Sequence, residues 1–305
     1  MRWQDFRRKE LRDLSNVNIY RPLTATPFKR NSFYTELFPC KELQSYIRCY
    51  WGTENPHIQF ENDDAPELVI PDTCADIIYH IDYTDNTVIG GFCGVNDCSF
   101  HAHGRGNIGH IVSTFAIRFY AWSVYAFSDD SLQSTMNGYF DVGSRFEWLD
   151  KSIRPRLLEL KTLQEKISFT EQVLRKRLSD VRENAVVNNT IQNILLNKGS
   201  LGIANLAKES FVSTRQLERL FHEYVGIMPK KLSNLIRYQF LWRDILCEPD
   251  FDALSAVHKF GYTDQSHLLR EFKRYHSMDI HNARIMAFKD VGNIQEVSCK
   301  LYMSF

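Results

Sequence analysis

The chain repeats itself near its C-terminus, and no other feature of its 305 residues limits the fold so tightly. Leu206-Ala207 is followed, after five intervening residues, by Ser213-Thr214-Arg215-Gln216-Leu217-Glu218-Arg219-Leu220-Phe221, then by Tyr224, Gly226 and Pro229. The pattern returns as Val257-His258-Lys259-Phe260-Gly261-Tyr262-Thr263-Asp264-Gln265-Ser266-His267-Leu268-Leu269-Arg270-Glu271-Phe272, then Tyr275. Leu217, Arg219, Phe221 and Tyr224 meet Leu268, Arg270, Phe272 and Tyr275 at a constant offset of 51 residues. Two similar helical units therefore stand in tandem.

Each unit opens with a short apolar helix, passes a tight turn, and restarts at a small hydroxyl residue, Ser213 or Thr263, suited to cap a helix by accepting a backbone N–H bond. This is the order of a helix-turn-helix. Leu217, Leu220, Phe221 and Tyr224 recur at three-and-four spacing and face inward, as do Leu268, Phe272 and Tyr275. The outward residues are then Arg215, Gln216, Glu218 and Arg219 in the first unit and Gln265, Ser266, Leu269 and Arg270 in the second. Forked and amide side chains of these types read guanine and adenine edges in a major groove. His267 suits a structural role or a phosphate contact better than base reading. The candidate DNA contacts are thus Arg215, Gln216, Glu218, Arg219, Gln265, Ser266, His267 and Arg270.

The double motif resembles the AraC/XylS family of bacterial transcription regulators. That family's second-unit pattern, Gly-Phe-x-Asp-x-Ser-His-Phe-x-x-x-Phe-Lys, stands here as Gly261-Tyr262-Thr263-Asp264-Gln265-Ser266-His267-Leu268-Leu269-Arg270-Glu271-Phe272-Lys273. The resemblance implies two helix-turn-helix units joined by a long helix, double-stranded promoter DNA as partner, and activation of nearby genes together with RNA polymerase. The first unit keeps the family's Gly-x-x-Pro as Gly226-Ile227-Met228-Pro229, whereas the second reads Ser277-Met278-Asp279-Ile280, which leaves its final turn free to differ. Val257 replaces a small alanine, and Arg284 stands at the family's closing arginine.

Bulk charge gives DNA binding no support, because 37 Lys+Arg balance 37 Asp+Glu; a local basic patch suffices, since only charges near phosphates release counterions. The N-terminal stretch lacks the apolar core of a signal peptide and no apolar run is long enough for a membrane span, so a cytoplasmic protein without membrane contact is expected. Seven scattered cysteines fit cytosolic thiols.

Residues 1–31 read as a helical or loosely ordered arm that reaches DNA in one version of the fold. A β-rich sensor or dimerisation domain follows over 32–183, the DNA-binding domain over 184–290, and a tail over 291–305. The fold class is therefore α+β: a cupin-like or barrel-like sheet domain with helices, then an all-α domain. Within the sensor, a helix from Leu43 is expected to lead into a strand near Trp51. Glu67–Asp72, Asp76–Ile81, Thr87–Gly94 and His110–Phe119 read as strands, with Pro71–Ala75 as a connecting turn. Pro71-Asp72, Gly90-Gly91 and Arg118-Phe119 give a looser similarity to the sensor of a subgroup of AraC-type regulators.

Such a sheet encloses a pocket when large residues ring a space, and Trp51, Tyr79, Phe92, Arg118 and Trp122 are the candidate lining for a small-molecule effector, Arg118 anchoring an acidic group. No cofactor is required. The alternative is a metal- or thiol-responsive regulator, with Cys98, His101 and His103 as zinc ligands and Cys93 close by, or a DNA-binding protein with a reactive-cysteine activity. No phosphate-cradling loop or nucleophile motif supports an enzyme. Leu157, Leu160, Leu163, Ile167, Val173, Leu174, Leu178 and Val181 form an apolar stripe over two helices broken near Ser168, which either covers the sheet or pairs two copies into a homodimer. Asn184 to Gly199 is expected to be a join with polar punctuation at Asn188-Asn189 and Asn197-Lys198-Gly199, Gly199 fitting the end of a helix just before the first unit.

Overall fold

The computed structural model describes residues 20–26, 34–60, 66–103, 106–248 and 250–289. Its N-terminal half contains strands β1 (Tyr34–Leu37), β2 (Ile47–Thr53), β3 (His57–Ile58), β4 (Glu67–Val69), β5 (Cys74–Asp82), β6 (Thr87–Cys93), β7 (Phe100–Ala102), β8 (Ile111–Tyr120) and β9 (Tyr139–Asp141). Seven of these form one antiparallel sheet in the order β1-β2-β8-β5-β6-β9, with β3 also on β8, while β4 and β7 make a separate ribbon. Alternation sets the faces. In β5, Ile77, Tyr79 and Ile81 are buried, whereas Asp76, Ile78 and His80 on the other face are half-buried.

The buried face packs under α1 (Gly143–Ile153) and α2 (Leu163–Arg177). Phe92 meets Phe146 of α1 at 4.9 Å between ring centroids. In α2, Leu163, Ile167 and Leu174 are buried, so this part of the apolar stripe covers the sheet, while Leu160, Val173, Leu178 and Val181 are half-buried. The break expected near Ser168 lies earlier. Thr162 caps α2 and Glu165 returns the bond to Thr162, a reciprocal capping box that fixes the start of one continuous helix.

Two other expectations change. Lys41–Leu43 makes a single 3₁₀ turn and the chain then enters β2 at Ile47, because Tyr50 and Trp51 pair with Ile117 and Ala116 of β8 and the ladder overrides the helical spacing. Glu67–Val69 pairs with β7 instead of β5, so Pro71–Ala75 crosses between sheets and is not a hairpin turn.

The supposed polar join is a helix, α3 (Ala185–Leu196), started by Asn184 and buried through Val187, Ile191, Ile194 and Leu195. The tandem units follow as α4 (Ile203–Glu209) with α5 (Thr214–Tyr224), and α7 (Ala253–Phe260) with α8 (Gln265–His276), around a long α6 (Pro229–Cys247); α9 (Ile280–Lys289) closes the domain.

The second unit restarts one residue later than Thr263. Asp264 caps α8 by accepting from the His267 N–H at 2.7 Å, as Ser213 caps α5 by accepting from the Gln216 N–H at 3.2 Å. At the ends of the leading helices, Val212 N–H donates to Ala207 O and Tyr262 N–H to Val257 O, an offset of 50 residues. The second turn therefore holds one extra residue, and the offset grows to 51 in the recognition helices.

The residue before each of those donors takes a left-handed conformation, Gly261 at φ 67° and Phe211 at φ 56°. Gly261 does so freely, while a bulky residue there is strained. Phe211 is also 95% exposed, so its ring returns almost no burial energy. Phe211→Asn is expected to raise stability by about 0.5–1 kcal/mol, because Asn tolerates this conformation at lower cost. A urea midpoint that fails to rise would count against strain at this turn.

Candidate nucleic-acid interface

Each recognition helix turns one face inward and leaves the other open. Leu217, Leu220 and Phe221 of α5 are buried, as are Leu268, Phe272 and Tyr275 of α8. On the opposite faces Arg215, Gln216, Arg219, Gln265, Ser266 and Arg270 are exposed, with Glu218 and His267 half-buried. His267 sits edge-on to the Tyr262 ring at 5.4 Å, which gives it a packing role.

The helix α6 fixes both units. It spans about 28 Å at 1.5 Å per residue, and most of its residues are buried. At its start Gly226 supplies a left-handed φ of 76°; in the second unit Ser277 takes φ 57° at the equivalent place and Ile280 opens α9 as Pro229 opens α6. The final turn thus keeps its shape without glycine or proline. Arg284 donates to the Glu248 carbonyl at 3.0 Å, tying α9 to the end of α6.

A buried charge cluster joins α6 to α8. The Arg237 guanidinium donates to both Glu271 carboxylate oxygens at 2.9 and 3.1 Å, lies 4.1 Å from the Tyr262 ring centroid, and Tyr262 Oη donates to Glu271 at 2.9 Å. Beside it His276 stacks on Phe272 at 4.2 Å, with its Nδ1 2.8 Å from Tyr238 Oη. Burial lowers the His276 pKa to about 3, so the imidazole is neutral in the fold.

The N-terminal half touches this domain at several points. Gln239 of α6 accepts from the Leu23 N–H at 2.9 Å and donates to the Pro71 carbonyl at 3.1 Å. Leu132 N–H donates to Glu223 O at 2.9 Å at the end of α5, where the Tyr125 and Tyr224 rings lie 4.1 Å apart. Lys231 pairs with Asp97 at 2.8 Å, and Ser99 Oγ lies 2.6 Å from Ser277 Oγ. Residues 20–26 of the N-terminal arm thus pack on α6, Tyr20 lying 5.4 Å from Phe240; DNA contact by residues 1–19 and 27–31 concerns positions outside the described residues.

The five effector candidates do not line one space. Tyr79 and Phe92 belong to the core face under α1, and Trp122 stacks on Tyr120 at 5.2 Å beyond the end of β8. Trp51 and Arg118 share the other face. There Arg118 is not free to anchor an acidic ligand: its Nε and Nη2 donate to Asp76 at 2.9 and 3.1 Å, and Asp72 stands 3.7 Å from Nη1. Trp51 Nε1 donates to the same Asp76 at 2.8 Å.

The metal candidates are likewise not assembled. Among the described residues, the one group of three ligand-type side chains with atoms within 4.8 Å of one another is Asp82, Asp85 and His110, not Cys98, His101 and His103. His101 and His103 are both exposed around the end of β7. Burial raises the Cys93 thiol to about 11, which leaves it protonated and unreactive at neutral pH.

Residues 206–284 match a family model described as a helix-turn-helix domain, and residues 35–141 match one described as a domain of unknown function (DUF6597). No curated protein matches the chain. Among solved structures, an AraC-type transcriptional regulator from Chromobacterium violaceum aligns at 21% identity and a TM-score of 0.31, covering 33% of this chain and 91% of its own. ToxT from Vibrio cholerae with a bound unsaturated fatty acid aligns at 9% identity and 0.36, covering 85% and 97%. CdpR from Pseudomonas aeruginosa gives 14% and 0.30, covering 59% and 46%.

Two outcomes follow from this geometry. Arg219→Ala and Arg270→Ala are each expected to weaken binding to a selected duplex by about 1–3 kcal/mol, as loss of a base contact does; unchanged affinity in both folded variants would place the reading faces elsewhere. Because His276 stays neutral when folded, the unfolded chain takes up a proton below about pH 6.5 that the folded chain refuses until about pH 3. Stability is lost as pH falls through that window, by about 2 kcal/mol between pH 7 and pH 5 for this group. In urea melts the advantage of the wild type over His276→Gln should shrink by that amount at pH 5, and parallel pH profiles would contradict a neutral buried imidazole.

Proposed function

We propose that this chain, whose residues 206–284 match a helix-turn-helix domain, is an AraC-type DNA-binding transcription regulator, an effector-controlled activator that works in the cytoplasm as a homodimer. One observation carries the DNA-binding part: two similarly capped recognition helices present exposed polar faces while their buried faces are keyed to one shared helix. Arg215, Gln216, Glu218 and Arg219 on the first face, and Gln265, Ser266 and Arg270 on the second, are the proposed contacts. Two units held by one rigid α6 read successive major-groove segments, about one duplex turn or roughly 34 Å apart. His267 supports the second helix rather than reading bases. RNA polymerase is the expected partner of an activator.

Small-molecule control is proposed for the sheet face that carries Trp51, Asp76 and Arg118. Asp72, beside Arg118, adjoins Pro71, whose carbonyl is bonded to Gln239 of α6. A ligand that favours one setting of this segment would shift the population of DNA-ready molecules by its differential affinity.

The test is selection of bound sequences from a random-core duplex pool by the full chain, followed by affinity measurements on the enriched site. An enriched site with two elements a helical turn apart is the expected result, and a pool that never converges would overturn the reading. Gln239→Ala should then lower affinity for that site by about five- to tenfold without changing the selected sequence, since no reading residue is altered. Unchanged affinity with the fold intact would remove Gln239 from the coupling route.

A further inference from the structure

The open face of α8 carries Gln265, Ser266, Leu269, Arg270 and Lys273, all exposed. Four of these five side chains are polar. Leu269 is 41% exposed, one turn after Gln265 and adjacent to Arg270, while its neighbour Leu268 is fully buried on the other side of the helix. Its counterpart in the first unit, at the offset of 51, is Glu218, so the repeat does not require an apolar residue here.

Leu269 neither donates nor accepts a hydrogen bond, and a phosphate offers it nothing. It is the fifth residue of α8, which starts at Gln265, and the N-terminal part of a recognition helix is the part that approaches base edges. The apolar group that a base pair displays in the major groove is the C5-methyl of thymine.

We infer that Leu269 is a specificity-determining residue that contacts a thymine methyl group in the DNA segment read by the second unit. The inference rests on the DNA-binding reading. It gives the second unit a mixed code, with Gln265 and Arg270 reading by hydrogen bonds and Leu269 reading a methyl between them. The first unit, with Glu218 at that place, lacks this preference.

The experiment uses the full chain and the duplex enriched from a random-core pool, in which each thymine is replaced in turn by deoxyuridine. This removes one methyl and leaves every hydrogen-bonding group in place. Wild type should lose about three- to fivefold in affinity at one thymine, as expected for one methyl group taken out of water. Leu269→Ala should lose a comparable factor on the thymine duplex and nothing more on the uracil duplex, because the two changes delete the same contact. Arg270→Ala should keep its sensitivity to that uracil. If no thymine is sensitive, or if the sensitivity persists in Leu269→Ala, the assignment is wrong. A pool that does not converge overturns the DNA-binding reading itself, and this inference with it.

Discussion

The buried pairing of Arg237 with Glu271 is the contact on which the arrangement of the two reading helices depends. Glu271 lies on α8, one residue beyond Arg270, and Arg237 lies midway along α6, so the pair fixes both the rotation of α8 and its position along the linker. Desolvation of both charges is costly, and the pair persists because Tyr262 supplies a third hydrogen bond and an aromatic face. Such a cluster adds little net stability over an apolar replacement, but it tolerates few alternative geometries. Its consequence is positional. Turning α8 about its axis breaks the cluster, so the exposed face carrying Gln265, Leu269 and Arg270 has one permitted direction.

A second charged cluster plays a different part in the sensor half. Arg118, Asp76 and Trp51 lie on neighbouring strands β8, β5 and β2, where the antiparallel register sets Arg118 opposite Asp76. Arg118 is thereby held by protein carboxylates. The segment Pro71-Asp72 leaves this cluster and reaches α6, where Gln239 holds the Pro71 carbonyl and the Leu23 amide together. Gln239 is buried between two backbone groups that would each lose a partner if it moved, which makes the contact either made or broken rather than graded.

The sequence exposes the tandem units because their spacing, caps and inward residues are local features. Leu217, Phe221, Leu268 and Phe272 face inward, as three-and-four periodicity requires. What local pattern does not carry is competition between partners. Thr263 and Asp264 are both cap-type residues in isolation, and the extra turn residue appears in the bonds to Ala207 and Val257. Asn188 and Asn189 read as polar punctuation in a join, yet Val187, Ile191, Ile194 and Leu195 recur at the helical spacing of α3. The Thr162 and Glu165 pair was likewise legible as the start of α2. The two faces of the sheet were not, since Tyr79 and Arg118 are separated by strand pairing that no short segment encodes.

The two helix-turn-helix units are held unequally by the N-terminal half. The first is gripped directly by the sensor half, through the Leu132 bond to Glu223 and the Tyr125 ring against Tyr224, at the C-terminal end of α5. The second meets it at polar surface contacts, Ser99 with Ser277 and Asp97 within the field of Arg274, and is joined to α6 through Arg237 and Glu271. Gln239 thus ties the Pro71-Asp72 segment to α6, the helix on which the second unit is keyed through Arg237 and Glu271. Both faces are open: Arg215, Gln216 and Arg219 are exposed on α5, and Gln265, Ser266 and Arg270 on α8.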